Sequence, residues 1–336
     1  MRKATAKPPS FAALSQAFFV EHLQQQRAMS PRTVAAYRDA FVLFLDFVTA
    51  RLHKQPTAIR LQEITPALIL AFLDHLERDR GNCVRSRNAR LAALRAFLKF
   101  AGRRDITALH VVEQALNVPM KRFERPMVAF LSREEMLAIL GEPGSGWTSQ
   151  RDHLLLRMLY NTGARVSEVI AIKVVDVVLD GAACVHLHGK GRKQRTVPLW
   201  RSTVKQLRAW LKLNPQFEVN SPLLPNRDGN AMTRGNVTQR VALAVKAATA
   251  AQPQLAKRRI SPHTLRHTTA MHLLQSGVDI TVIALWLGHE SPVTTHHYVE
   301  ADLAMKERAL ARLHEPDAAV RRYRAPDSLV EFLKTL

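Results

Sequence analysis

The chain has 336 residues, of which 47 % are hydrophobic, enough for more than one buried core and too many for a disordered polymer. A formal net charge of +21 points to a polyanionic partner, most often nucleic acid. The two cysteines, Cys83 and Cys184, fall in different expected domains, which excludes a disulfide framework or a cysteine-based metal site and fits a reducing compartment.

Residues 1–10 read as a flexible basic lead with no continuous apolar run behind it, so neither a signal peptide nor a membrane span is expected. Residues 11–118 are expected to form an all-helical N-terminal domain. Phe11–Arg27 is amphipathic, and Ser30-Pro31 opens a second helix with Val34, Tyr37, Phe41, Phe44, Leu45 and Val48 inward. Thr65-Pro66 opens a third, ending near Gly81. A fourth, about Val84–Arg104, carries two stripes: Leu91, Leu94, Leu98 and Ala101 on one, and Arg85, Asn88, Arg95, Lys99 and Arg103 on the other. No acidic residue lies between Gly81 and Arg104. A solvated face normally mixes signs, so the basic stripe is expected to face nucleic acid. A short fifth helix, about Thr107–Leu116, closes this bundle.

Residues 119–130 read as an extended basic linker containing Pro119, Pro126, Lys121 and Arg122. A second domain is expected over 131–313, with 314–336 as a tail. It starts with a capping box, Ser132 with Glu135. Arg151–Tyr160 is an apolar helix, Asn161-Thr162-Gly163 turns the chain, and Arg165–Ile172 starts another helix. Val174–Leu179, Ala182–His188 and Arg195–Leu199 read as strands, the last two flanking the loop Gly189-Lys190-Gly191-Arg192-Lys193. That loop lacks the glycine spacing and the Ser or Thr of a nucleotide-binding loop. The fold class is thus mainly α with a small antiparallel β-sheet.

The densest motif lies further on. Ser261 and Pro262 suit the start of a helix on which His263 and Arg266, three apart, share a face. A second short helix from Asp279 stops at Gly288 and leaves His289 at its end, and Ser291-Pro292 starts a third that carries Tyr298. Positive donors converging on a hydroxyl suit attack on a phosphate. His263 with His289 lacks a third ligand at a metal-site spacing. His186, His188, His267, His296 and His297 are read as structural or, for the last two, DNA-contacting.

The run Ser261-Pro262-His263-Thr264-Leu265-Arg266-His267, then Leu287-Gly288-His289, then Tyr298, resembles the C-terminal signature of the tyrosine recombinases, the phage-integrase family. Thr162-Gly163-Ala164-Arg165-Val166-Ser167-Glu168 resembles that family's first arginine motif. Gly189-Lys190-Gly191 with Gln194–Leu199 resembles its β-hairpin lysine motif. The resemblance implies an N-terminal helical core-binding (SAM-like) domain and a C-terminal catalytic domain that close as a clamp on DNA. It implies catalytic positions Arg165, Lys190, His263, Arg266, His289 and Tyr298, with Tyr298 the nucleophile that forms a 3′-phosphotyrosyl bond. His263 is then the general base, Lys190 the general acid, Arg165, Arg266 and His289 the phosphate ligands, and Glu168 a support for Arg165. It further implies no cofactor, neither ATP nor metal, and a homotetramer on double-stranded DNA carrying specific recombination sites. Accessory recombinases or directionality factors would be further partners, and the expected location is the cytoplasm, with the nucleoid. Expected DNA contacts are Arg85, Asn88, Arg95, Lys99, Arg103, Lys121, Arg122, Lys193, Lys257 and Arg258. The segment after Tyr298 looks like element-encoded members, so integration or transposition of a mobile element is expected. The alternatives are an Xer-type chromosome dimer resolvase, a type IB topoisomerase, or a non-catalytic DNA-binding protein on the same fold.

Overall fold

The computed structural model describes residues 9–124, 129–189 and 194–288. The chain divides into two compact units, Met1–Arg125 and Pro126–Leu336. Helices dominate both, and the second adds one three-stranded antiparallel sheet.

Unit 1 begins with α1 (Phe11–Ala17), capped by the Ser10 hydroxyl on the Ala13 N–H. The helix runs on through Phe18–Gln26, wound with the wider i→i+5 bonding of a π-helix. Ser30 caps α2 (Pro31–Leu52), and Pro31 takes the first-turn position where a missing N–H costs nothing. Thr65 does the same for α3 (Pro66–Arg78). Then come α4 (Val84–Gly102) and, after one 3₁₀ turn, α5 (Leu109–Leu116). Their apolar faces meet in one core, with Phe97 edge-on to Phe11, Phe18 and Phe41 at ring separations of 5.1–5.6 Å. Leu91, Leu94, Leu98 and Ala101 line it as their 3–4 spacing requires.

The other stripe of α4 is not one uniform face. Arg95 donates to the Leu116 and Val118 carbonyls at 2.8 and 2.6 Å, satisfying acceptors left open at the end of α5. Asn88 is buried and brackets Lys121, donating to its carbonyl and accepting from its N–H. Arg87 is 3 % exposed and meets Glu77 at 2.8 Å, as a charge pair without hydrogen-bond alignment. Glu77 also holds the Lys121 ammonium at 2.8 Å. Pro119 and Lys121, at the start of the stretch read from the sequence as an extended basic linker, are bonded to α3 and α4.

Unit 2 opens with α6 (Arg133–Leu140), where Ser132 and Glu135 form the expected capping box. The long α7 (Trp147–Thr162) and the single turn α8 (Val166–Val169) follow. The sheet runs in the order β1 (Val177–Val178), β2 (Cys184–His188), β3 (Gln194–Pro198), with Val185 opposite Val197 and Leu187 opposite Arg195. The strand expected over Val174–Leu179 is only two residues long. The Asp176 carboxylate accepts from the Lys173 N–H and closes Val174–Asp176 into a 3₁₀ turn. Four further helices follow among the described residues: α9 (Arg201–Leu213), α10 (Arg234–Ala248), α11 (Pro262–Gln275) and α12 (Ile280–Leu287). Among the described residues no helix is long and apolar enough to cross a membrane.

Replacing Glu77 by Leu strips the counter-charge from a buried guanidinium. Loss of one partner of a buried pair costs about 3–5 kcal/mol, and the part-exposed position of Glu77 sets the low end here. Denaturant unfolding of Glu77→Leu should show unit 1 destabilised by about 3 kcal/mol, whereas Glu77→Gln should lose less.

Candidate active site

The end of α7 is built to deliver Arg165. Thr162 turns its hydroxyl back to the Met158 carbonyl and accepts from the Ala164 N–H, so the chain reverses within two residues. Gly163 sits at φ +57°, and a Cβ there would lie 2.5 Å from Leu287 Cδ2. Only glycine meets both conditions. Arg165 then caps α8, with its own N–H donating to Glu168 Oε2 at 2.8 Å and its guanidinium to Oε1 at 2.9 Å.

Glu168 is 2 % exposed. Burial by itself would raise its carboxyl. The Arg195 guanidinium at 2.7 Å and the two Arg165 donors outweigh that and hold it below the usual carboxylate range. Sequence reading placed Arg195 only in a strand. A signal was nonetheless there: residue 195 alternates in register with Val197, which is fully buried, so an arginine occupies the core-facing side of β3.

The motif helix α11 starts as its sequence demands, with the Ser261 hydroxyl on the Thr264 N–H and Pro262 in the first turn. Its interior is held in three ways. Thr268 accepts from the Leu131 N–H. Thr269 donates to the Tyr160 carbonyl. His272 spans Tyr160 and Leu131. The Leu131 carbonyl can only accept, so His272 carries its proton on Nε2 and takes the Tyr160 hydroxyl on Nδ1. Burial lowers that imidazole and raises the Tyr160 phenol, which marks the pair as a structural tie.

Arg266 is 3 % exposed and aims its guanidinium at the Gly163 carbonyl (2.6 Å) and the Leu287 carbonyl (2.7 Å). Three consecutive carbonyls at the end of α12 are each taken by a different arginine: Trp286 by Arg195 (2.8 Å), Leu287 by Arg266 and Gly288 by Arg165 (3.2 Å). A helix C-terminus offers unpaired carbonyls and partial negative charge, so it gathers cations. His263 lies one turn from Arg266, with its ring edge-on to His267 at 4.1 Å. Desolvation, then the charges of Arg266 and Arg165, lower its imidazole below the ordinary value.

The structure thus brings together Arg165, Glu168, His263 and Arg266. Lys190, Lys193, His289, His296, His297 and Tyr298 lie outside the described residues. Among the expected DNA contacts, Arg85, Lys99, Arg103, Lys121, Arg122 and Lys257 are exposed. Asn88 and Arg95 spend their side chains on unit 1, as above. Arg258 grips both Glu135 oxygens, at 2.7 and 2.6 Å, and also the Phe130 carbonyl. These three were assigned by their place on a basic face or in a basic run, and their bonding partners lie far off in sequence. Among the described residues no cluster of metal-ligating side chains occurs.

The electrostatics predict that His263 is neutral at neutral pH. Its imidazole titration followed by NMR should have a midpoint below about 6.5. His263 keeps an exposed edge. Arg165→Ala removes a nearby positive charge, which favours protonation, so the midpoint should rise while remaining below the ordinary value, because partial desolvation and the Arg266 charge persist. A wild-type midpoint at or above about 6.5 would contradict the arrangement.

Comparison with known proteins agrees with this geometry. The phage integrase family profile matches residues 129–305, and that of the phage integrase N-terminal SAM-like domain matches 17–105. An integrase/recombinase of Sinorhizobium fredii, y4rC, is 42 % identical over 331 residues, covering 98 % of this chain and 99 % of its own. Tyrosine recombinase XerC of Pelobacter propionicus is 31 % identical over 305 residues, covering 88 % of this chain and 95 % of its own. The solved XerH site-specific recombinase, in its post-cleavage complex with palindromic difH, shares the fold with a TM-score of 0.67. It is 20 % identical and covers 90 % of this chain and 84 % of that one. Two family matches in the expected order, full-length relatives and the shared fold make the chain a member of the phage integrase family, the tyrosine recombinases.

Proposed function

We propose that the chain is a site-specific DNA recombinase that cuts and rejoins DNA through a 3′-phosphotyrosyl bond to Tyr298. The observation that carries this reading is the meeting of Arg165 and Arg266 on the Gly288 and Leu287 carbonyls, with His263 one turn from Arg266 and Gly288 ten residues ahead of that tyrosine. Arg165 and Arg266 hold the non-bridging oxygens of the scissile phosphate. Guanidinium suits the task because it stays charged and donates in a fork. His263, kept neutral by its surroundings, takes the phenol proton as the Tyr298 oxygen attacks phosphorus. The phosphorus–5′-oxygen bond breaks, and Lys190 protonates the leaving oxygen. His289 adds a hydrogen bond to the phosphate. The energy of the phosphodiester is retained in the phosphotyrosyl bond, so neither ATP nor a metal is required. Attack by a different 5′-hydroxyl reverses the step and exchanges strands, which calls for a homotetramer holding two recombination sites.

The biological setting is integration or transposition of a mobile element. Identity of 42 % to an integrase/recombinase along nearly the whole chain, against 31 % to XerC, supports it. Chromosome dimer resolution is the second reading, and the XerC likeness favours it. Recombination of inverted repeats flanking the gene, with none at a chromosomal resolution site, would decide for the element.

The direct test is a nicked duplex that traps the covalent adduct. Wild type should accumulate protein-linked DNA, and Tyr298→Phe should bind the same duplex with near-equal affinity and form none. Adduct from the Phe variant would refute the assignment. A second test separates DNA ligand from scaffold on α4. Replacing exposed Arg85, Lys99 and Arg103 with Gln should lower the slope of log affinity against log salt by about 0.9 for each phosphate no longer neutralised. Arg95→Ala should instead destabilise unit 1, by about 1–3 kcal/mol for carbonyls left unpaired.

A further inference from the structure

We propose that Arg195 is a positioning residue for strand cleavage, setting the Arg165 guanidinium through Glu168 and the end of α12 through the Trp286 carbonyl. The inference rests on the reading above and adds to it a residue that never touches DNA.

Arg195 is the second residue of β3, on the same side as buried Val197. Its side chain is 12 % exposed. Nη2 donates to Glu168 Oε2 at 2.7 Å, and Nε donates to the Trp286 carbonyl at 2.8 Å. The same guanidinium lies against Gly288, where an added Cβ would come within 3.0 Å of Nη1. Gly288 is at φ +65°, and its carbonyl accepts from Arg165. Arg195 therefore holds both bodies that orient Arg165, the carboxylate on one side and the turn on the other. With Arg195 gone, Glu168 would keep only the Arg165 donors, and the charge on Oε2 no longer shared with Arg195 could pull that guanidinium inward, away from a phosphate. An ammonium can replace Arg195 only in part, because its donors leave a single atom and do not form the planar fork that spans two acceptors on different elements.

The test uses the full chain, adduct formation on nicked duplexes under single turnover, and two substrates. One carries the natural scissile phosphodiester. The other carries a methylphosphonate there, as separated diastereomers, which removes the negative charge that Arg165 is proposed to hold. If Arg195 acts through Arg165, Arg195→Ala should cleave the phosphodiester roughly 10²-fold more slowly than wild type, the loss typical of a misplacement of about 1 Å. Its deficit on at least one methylphosphonate diastereomer should shrink to less than about tenfold, since the displaced group is no longer needed. Arg195→Lys, which keeps the charge and one bond, should show a smaller deficit relieved in the same way, and it decides the matter if the Ala variant melts below the assay temperature. An equal deficit on both substrates in a folded variant would reduce Arg195 to a packing role and overturn the inference. Absence of any wild-type adduct on the phosphodiester would instead overturn the recombinase reading, and this inference with it.

Discussion

Three arginines from three separate stretches of chain end on three successive carbonyls, Trp286, Leu287 and Gly288. The rest of unit 2 can be understood as what makes that meeting tolerable. Guanidiniums gathered this closely repel one another. The helix C-terminus offsets part of that repulsion with its unpaired carbonyls and partial negative charge. Glu168 offsets more, because a charge pair at about 4 Å is worth about 4 kcal/mol where the effective dielectric is near 20. One buried carboxylate and one helix end still leave the cluster net positive. In the proposed function a phosphodiester anion would complete the balance.

The scaffold fixes the two ends that matter. Met271 and Leu274 of α11 share one buried apolar cluster with Ile283 and Leu287 of α12. Gly163 lets the end of α7 approach Leu287 closely enough for its carbonyl to meet Arg266. Tyr160, His272 and Leu131 tie α7, α11 and the start of the unit together through a buried hydroxyl and imidazole. Each tie joins residues more than a hundred positions apart, so the site exists only once the whole unit has folded.

Much of this was legible beforehand where the cause is local. Caps at Ser30, Thr65, Ser132 and Ser261, and the turn at Gly163, depend on residues a few positions apart, and all appear. What charge and spacing cannot reveal is where a long side chain spends its donors. Arg95 and Arg258 look like DNA ligands until the carbonyls of Leu116 and Val118, or the carboxylate of Glu135, arrive from elsewhere in the fold. The strand expected from Val174 gave way to a 3₁₀ turn because the Asp176 side chain competes for the Lys173 N–H, a local bond that a valine-rich run conceals.

The central claim is that a buried carboxylate aims an arginine at the scissile phosphate. Its most direct test is the single-turnover cleavage rate of Glu168→Gln at saturating DNA, with melting measured alongside. The amide keeps the shape but loses the charge that holds Arg165 and Arg195. The account predicts a folded protein that binds DNA as wild type does and cleaves it roughly 10²-fold more slowly. A folded Gln variant that cleaves at the wild-type rate would contradict it.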